Sequence, residues 1–170
     1  MARALMVIAP ETFRDEEYAH PKEVLEGRGV DVDTASVRRG TCRGRFGLTA
    51  EANLGLSEAD PADYDAVIFV GGGGAEIYFD DPVAHALASG AYGLGRIVAA
   101  ICIAPSVLAR AGLLAGRQVT CFESREQDLK THGATCTGRP VEVDGTIITA
   151  NGPDAAYDFG EALADAIAPR

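Results

Sequence analysis

Hydrophobic residues along the chain form short continuous runs that are separated by polar stretches of helical length. Residues 3–9 (RALMVIA), 65–70 (DAVIFV) and 96–101 (RIVAAI) are largely apolar runs of strand length, typical of strands that are buried on both faces of a sheet. Residues 30–37 alternate as VDVDTASV, the pattern of a half-buried strand. The pattern therefore predicts one strand in each of these four segments.

Capping and stop signals predict helices between the strands. An acidic stretch that begins after Pro10 and ends at Gly27 and Gly29 predicts the first helix. Asp80-Asp81-Pro82 supplies an N-cap and a first-turn proline for a helix that reaches about Gly90. The remaining predicted elements are a helix over 104–112, a strand over 118–122, a short helix over 124–132, strands near 141 and 147, and a final helix from 153.

Residues 38–56 are rich in glycine and arginine, and they fit a hairpin or an excursion better than a helix. Elsewhere strands and helices alternate, which predicts an α/β fold with a mainly parallel, doubly wound sheet and helices on both faces. Neither an internal repeat nor a linker divides the sequence. We therefore expect a single domain over residues 1–170.

Composition and charge narrow the range of partners. The chain has 25 acidic and 15 basic residues and a formal net charge of −10, without a run of basic residues that would neutralise a row of phosphates. The longest apolar stretches, such as 97–105, have about half the length that a bilayer requires, and residues 1–10 lack the pattern of a signal peptide. We expect a cytoplasmic protein with neither a nucleic-acid nor a membrane partner.

The four cysteines stand at positions 42, 102, 121 and 136. They form no C-x-x-C pair, and no histidine lies near them at the spacing of metal ligands. This spacing favours four free thiols over a zinc site or a disulfide framework. We expect neither a metal nor a cofactor.

Cys102 lies where a predicted buried strand meets a predicted helix. A sharp strand-to-helix turn that exposes a nucleophile requires small residues two positions before and after it, and Ala100 and Ala104 occupy those positions. The N-terminus of the helix is then expected to lower the pKa of the thiol. The alternative is that Cys102 is a small buried hydrophobic residue, but the carboxyl end of a strand is where doubly wound sheets bind ligands.

Four sequence blocks resemble the signature blocks of the ThiJ/PfpI (DJ-one) superfamily, and they occur in the family's order. They are FRDEEYAHP at 13–21, GGGGAE at 71–76, AAICIAP at 99–105 and TANGP at 149–153. The resemblance implies a flavodoxin-like fold with the reactive cysteine on the strand-to-helix turn. It also implies assembly as a homodimer or a higher homo-oligomer.

The family register selects Glu17 as the carboxylic acid that hydrogen-bonds the sulfur of Cys102; the sequence alone equally permits a solvated carboxylate at a helix start. Because two negative charges side by side repel each other, we expect the pair to share a proton. The backbone amides of Gly72, Gly73 and Ile103 are candidate donors for an oxyanion hole. The alternative for the glycines is a tight turn between strand and helix.

The chain departs from the family at two positions. Ile103 replaces the histidine that follows the cysteine in members described as proteases, although Glu76 matches their intersubunit glutamate. Phe122 stands where glyoxalase and deglycase members commonly carry a histidine, and it is expected to form an aromatic floor of the pocket. His20 is the histidine close enough to Glu17 in sequence to lie at the rim.

Two functional hypotheses follow from these residues. In the first, Cys102 attacks a small electrophile, so that the protein is a small-molecule hydrolase or a glyoxalase or deglycase-like enzyme that acts on reactive carbonyls. In the second, the protein is a non-enzymatic redox or stress-response protein that senses oxidation of Cys102. An intracellular cysteine protease is the least favoured, because the triad histidine is absent.

Overall fold

A seven-stranded sheet forms the centre of the protein in the computed structural model, which describes residues 1–167. All neighbouring strands in this sheet are parallel except the antiparallel pair at one edge. The α/β class with a mainly parallel sheet is thereby confirmed. In spatial order the strands are β11 (Val141–Asp144), β12 (Ile147–Ala150), β8 (Ile97–Ile101), β7 (Ala66–Phe69), β1 (Arg3–Val7), β3 (Asp31–Ser36) and β6 (Leu54–Gly55).

Five helices cover the two faces of this sheet, and their residues pack into two separate cores. Side chains of β1 alternate between these cores, so that Leu5 and Val7 face one and Met6 faces the other. The helices are α1 (Asp15–Gly27) and α5 (Ala156–Ile167) on one face, α2 (Pro82–Gly93) and α3 (Pro105–Arg110) on the other, and α4 (Glu126–Thr131) beside α3. None of the helices within residues 1–167 has the length and apolarity needed to cross a bilayer.

The predicted start of α2 is confirmed in detail. The Asp81 side chain accepts hydrogen bonds from the backbone amides of Val83 and Ala84, and Pro82 occupies the first turn. The helix continues three residues beyond the predicted end at Gly90, to Gly93. Glycine lowers helix stability without forbidding it, which explains the longer helix.

The glycine- and arginine-rich stretch 38–56 contains the predicted hairpin. Strand β4 (Gly40–Gly44) pairs antiparallel with β5 (Thr49–Ala52), and both belong to a small second sheet. The third strand of that sheet is β2 (Glu11–Phe13), a three-residue segment that carries no hydrophobic pattern and was not predicted. This small sheet lies next to the start of α1.

The strand predicted over 118–122 is wrong for most of its length. Only β9 (Gln118–Val119) forms, and it pairs with β10 (Thr135–Cys136) in a two-stranded parallel sheet outside the main one. Beyond it, the amide of Thr120 donates to the side-chain oxygen of Thr149 at 3.0 Å. The Thr149 hydroxyl thus replaces the backbone carbonyl group of a neighbouring strand as the acceptor, and the strand ends at Val119.

Candidate functional site

The candidate site lies at the carboxyl ends of the central strands, close to the point where the strand order reverses. From β1 the chain moves to β3 on one side, and it later returns to place β7 on the other side of β1. Such a switch point leaves a crevice above the strand ends. Gly71 follows β7 and Cys102 follows β8 directly, so that both reach this crevice.

Cys102 adopts a left-handed backbone conformation, with φ of 66°. Among residues 1–167 only one other non-glycine residue, Thr12, has a positive φ. The turn is held on both sides: the Cys102 amide donates to the carbonyl oxygen of Ala150 at 2.9 Å, and its own carbonyl accepts from the Phe122 amide at 2.8 Å. A strained residue that its surroundings hold in this way is typical of functional sites.

The small residues predicted to flank this turn are present and tightly packed. Ala100 and Ala104 have no exposed surface and belong to the same core, so larger side chains would collide with that core. The structure therefore has the sharp strand-to-helix turn that the sequence predicts at Cys102. The positive φ of Cys102 and the hydrogen bonds at its amide and carbonyl groups define this turn.

Glu17 lies in the first turn of α1 and is fully buried. The Cys102 thiol and the Gly71 amide lie within hydrogen-bonding reach of its carboxyl group. Neither carboxyl oxygen, however, has a hydrogen bond of regular geometry to any of residues 1–167. These contacts are therefore loose, and the carboxyl group retains the capacity to bind a proton or a substrate atom.

Burial governs the titration of this pair. Removal from water raises the pKa of Glu17 to about 7, although the contact with Cys102 and the charge of Arg14 oppose the rise. Burial likewise raises the pKa of Cys102 to about 12, and the Glu17 carboxylate adds to the rise through its charge. Well below pH 7 both groups of the pair are therefore protonated, and above pH 7 the pair holds a single proton.

The prediction that a helix N-terminus lowers the pKa of Cys102 is wrong in direction. Helix α3 has only six residues and begins at Pro105, which has no N–H group to donate. The amides of Gly72 and Ile103 do lower the pKa of the thiol, but burial outweighs them. A thiolate at this position is least costly when Glu17 holds the proton, because the repulsion between the two anions then disappears.

The glycines that follow β7 have no side chains, so the Glu17 carboxyl group, the Cys102 side chain and the backbone at Gly71 can approach one another. A Cβ on Gly71 would lie 2.7 Å from the Cβ of Cys102 and would collide with Glu17. The sequence pointed to Gly72 and Gly73 as amide donors and missed Gly71, whose lack of a side chain brings acid and thiol together. The amide of Gly72 reaches the sulfur; Gly73 begins a short 3-10 helix over 73–78, and its role as a donor stays a prediction.

Substitution of Gly72 tests this packing. Gly72 has φ of 95°, and a Cβ there would lie 2.6 Å from the Thr12 carbonyl oxygen. We expect Gly72→Ala to lower the free energy of unfolding by at least about 2 kcal/mol. Gly73→Ala is the matched control, because a Cβ on Gly73 would meet nothing within 4 Å. Chemical denaturation measures both; equal stability of the two variants would contradict the expectation.

Arg14 is a charged neighbour of the site that the sequence did not reveal. Its backbone amide donates to the Gly71 carbonyl oxygen at 3.0 Å, and its guanidinium group pairs with Glu16 at 2.8 Å. The guanidinium also lies 4.8 Å from the ring centre of Phe46, in the loop of the β4–β5 hairpin. The positive charge acts on both Glu17 and Cys102. Only the fold brings this hairpin loop to the start of α1.

Phe122 does not form the predicted floor beneath the sulfur. Its side chain is 45% exposed and lines a neighbouring groove of about 370 Å³, which neither Cys102 nor Glu17 lines. The chain leaves β9 before Phe122, and the ring lies near Gly152, where an added Cβ would be 3.9 Å from it. Its backbone amide is the part that supports the site, through the bond to the Cys102 carbonyl.

His20 and Glu76 are the two remaining candidate residues, on α1 and on the 3-10 helix over 73–78. The His20 ring stacks on Tyr157 of α5 with a centroid separation of 4.0 Å, so that one face of the imidazole is covered. Glu76 is exposed on the 3-10 helix, beside the half-exposed Ile77. Its role at a subunit interface stays a prediction. No group of three or more His, Cys, Asp or Glu side chains within residues 1–167 is arranged to hold a metal ion.

Similarity to known proteins extends over nearly the whole chain. An uncharacterised protein of Methanocaldococcus jannaschii is 40% identical over 98% of this chain and 82% of its own length. A protein named deglycase of Thermococcus kodakarensis is 31% identical over 90% of this chain and 92% of its own length. The crystal structure of a ThiJ/PfpI domain protein from Brachyspira murdochii superposes with a TM-score of 0.95 at 34% identity, covering 96% of this chain and 95% of the other.

The family model gives the same result. The model described as the DJ-1/PfpI family matches residues 2–166, which include the turn at Cys102, the glycines after β7 and the buried Glu17. The chain therefore belongs to the DJ-1/PfpI family.

Proposed function

We propose that the protein is a cysteine-dependent enzyme of the glyoxalase or deglycase type, which acts on small reactive carbonyl compounds. The observation that carries this proposal is the left-handed turn at Cys102, which holds the thiol against the buried acid Glu17. Relatives named deglycases, at about 30% identity over nine-tenths of this chain, support the same class of reaction. A substrate such as methylglyoxal has an aldehyde carbon that a thiol attacks readily.

The proposed first step is addition of the sulfur to the aldehyde carbon. As the S–C bond forms, the thiol proton passes to the Glu17 carboxylate, and the π pair of the C=O bond moves onto the oxygen. The amides of Gly72 and Ile103, which already approach the sulfur, are placed to donate hydrogen bonds to that oxygen. Glu17 then returns the proton to the oxygen, which completes a neutral hemithioacetal.

Glu17 has to perform the proton transfers without help from a histidine. All three histidines are engaged elsewhere: His20 stacks on Tyr157, His85 Nε2 contacts the Phe79 carbonyl oxygen at 2.7 Å, and His132 Nδ1 contacts that of Asp128 at 2.8 Å. A carboxyl group with a pKa near the working pH can serve as base and then as acid. The positions of the histidines and the raised pKa of Glu17 support Glu17 as the single group that transfers protons at the site.

The pH dependence of turnover tests the proposal. Because Glu17 must be ionised to accept the thiol proton and its pKa is raised to about 7, kcat/KM for methylglyoxal should fall below pH 7 and level off above it. In Glu17→Gln the residual rate should lack this inflection. No measurable turnover, or a rate that rises only above pH 9 in both proteins, would reject the proposal.

A second candidate, a redox or stress-response role at Cys102, is favoured by the donors around the sulfur. Protonated Glu17 and the amides of Gly72 and Ile103 would hydrogen-bond the oxygens of a sulfinate as well as those of a substrate. Preferential addition of two oxygens to Cys102 by peroxide, in a protein without turnover, would favour this role over the enzymatic one.

A further inference from the structure

Cys121 and Cys136 lie at the two-stranded sheet of β9 and β10, next to the candidate site: Cys136 ends β10, and Cys121 follows β9. In the parallel pair β9 and β10, Cys136 stands opposite Val119. Cys121 is two residues beyond Val119, just past the end of β9, and it is buried in the same core against which Cys136 packs. The two thiols are close enough for each to affect the pKa of the other, although the residues are fifteen apart in sequence and the Cys136 thiol donates its hydrogen bond to the Glu126 carbonyl oxygen.

The two sulfurs differ in access to solvent. Cys121 is buried, with 4% of its surface exposed, whereas Cys136 is partly exposed and its thiol donates to the Glu126 carbonyl oxygen at 3.7 Å. An oxidant from solvent therefore meets Cys136 first, and Cys121 lies buried in the core against which Cys136 packs. Cys42 provides a contrast within the same chain, because this buried thiol contacts the Gly40 carbonyl oxygen instead.

We propose that Cys121 and Cys136 form a reversible disulfide when the protein meets a peroxide. The sulfur of Cys136 attacks one oxygen of hydrogen peroxide, the O–O bond breaks, and the leaving oxygen departs as water after taking the thiol proton. The sulfur of Cys121 then displaces the hydroxyl of the resulting sulfenic acid, which leaves as a second water with the Cys121 proton. Two thiols are oxidised and one peroxide is reduced to two waters.

The bond would fix a segment that supports the candidate site. It would close a ring over 121–136, which includes all of α4. The next residue after Cys121 is Phe122, whose amide donates to the Cys102 carbonyl oxygen. Cys121 and Phe122 both line the groove of about 370 Å³. Burial raises the pKa of both thiols, so ring closure should accelerate with rising pH.

Peptide mass spectrometry on the full chain tests the proposal. After treatment with hydrogen peroxide and alkylation of the remaining thiols, the peptide linked through Cys121 and Cys136 should be at least about tenfold more abundant than any other cysteine pair. Dithiothreitol should return both cysteines to the alkylated pool. Cys42→Ser should leave the link unchanged, whereas Cys136→Ser should abolish it.

Three results would overturn the proposal. They are a dominant link between other cysteines, a link between two molecules, and oxygen addition to Cys121 and Cys136 without a bond between them. None of these measurements depends on carbonyl turnover, so the disulfide and the proposed enzymatic function stand or fall separately.

Discussion

Replacement of Cys102 with alanine is expected to lower kcat/KM for methylglyoxal by at least about a thousandfold. In the proposed reaction the sulfur forms the bond to the aldehyde carbon, and no other group at the site can replace a nucleophile. The three other cysteines lie outside the turn, and the structure places none of them against Glu17. The initial rate of methylglyoxal loss at neutral pH measures the effect directly.

The matched control for this change is Cys42→Ala. Cys42 is also a buried free cysteine and packs into the same core as Cys102, but it lies on β4 and contacts Gly40. Its replacement should therefore leave kcat/KM close to that of the wild type. Activity of Cys102→Ala above a tenth of the wild-type value would remove Cys102 from the centre of the mechanism.

Replacement of Glu17 with glutamine is expected to stabilise the protein at high pH while it destroys activity. The pKa of Glu17 is raised to about 7 in the folded chain from its ordinary value of 4.5, so between these pH values the folded state holds a proton that the unfolded state has lost. Wild-type stability should therefore decline as the pH rises from about 4.5 through 7. Glutamine fills the same space and carries no charge at any of these pH values.

The stability of Glu17→Gln relative to the wild type should thus increase by about 3 kcal/mol between pH 4 and pH 8. Denaturation with guanidinium at a series of pH values measures the difference. Glu26→Gln, which changes an exposed glutamate on the same helix, should show no comparable trend. A relative stability of Glu17→Gln that does not vary with pH would mean that Glu17 is not a buried titrating group. Turnover should fall at least about a hundredfold in the same variant.

Much of the fold could be predicted because most main-sheet strands are buried on both faces and so carry continuous apolar runs. Runs such as 65–70 and 96–101 coincide with β7 and β8 to within a residue. The failure at 118–122 has the same origin, since Thr120 and Cys121 are buried by packing without being paired as a strand. Whether a buried apolar segment finds ladder partners depends on residues distant in sequence, here Thr149 and Cys102.

The chemistry of the site was less predictable than its position. The small residues around Cys102 mark the turn in the sequence itself, and the family register selects Glu17. The direction of the Cys102 pKa shift was wrong because burial, which the sequence does not state, outweighs the nearby amides. Arg14 and Gly71 were missed because their importance arises from contacts that only the folded chain makes.

The rate of alkylation of each cysteine as a function of pH tests the central claim most directly. That claim is that Cys102 is a reactive thiol whose proton is exchanged with Glu17. Peptide-resolved mass spectrometry with iodoacetamide should show Cys102 reacting at a rate that follows a single ionisation near pH 7, and Glu17→Gln should remove this ionisation. A Cys102 rate that rises only above pH 9, with the same profile in wild type and variant, would contradict the account.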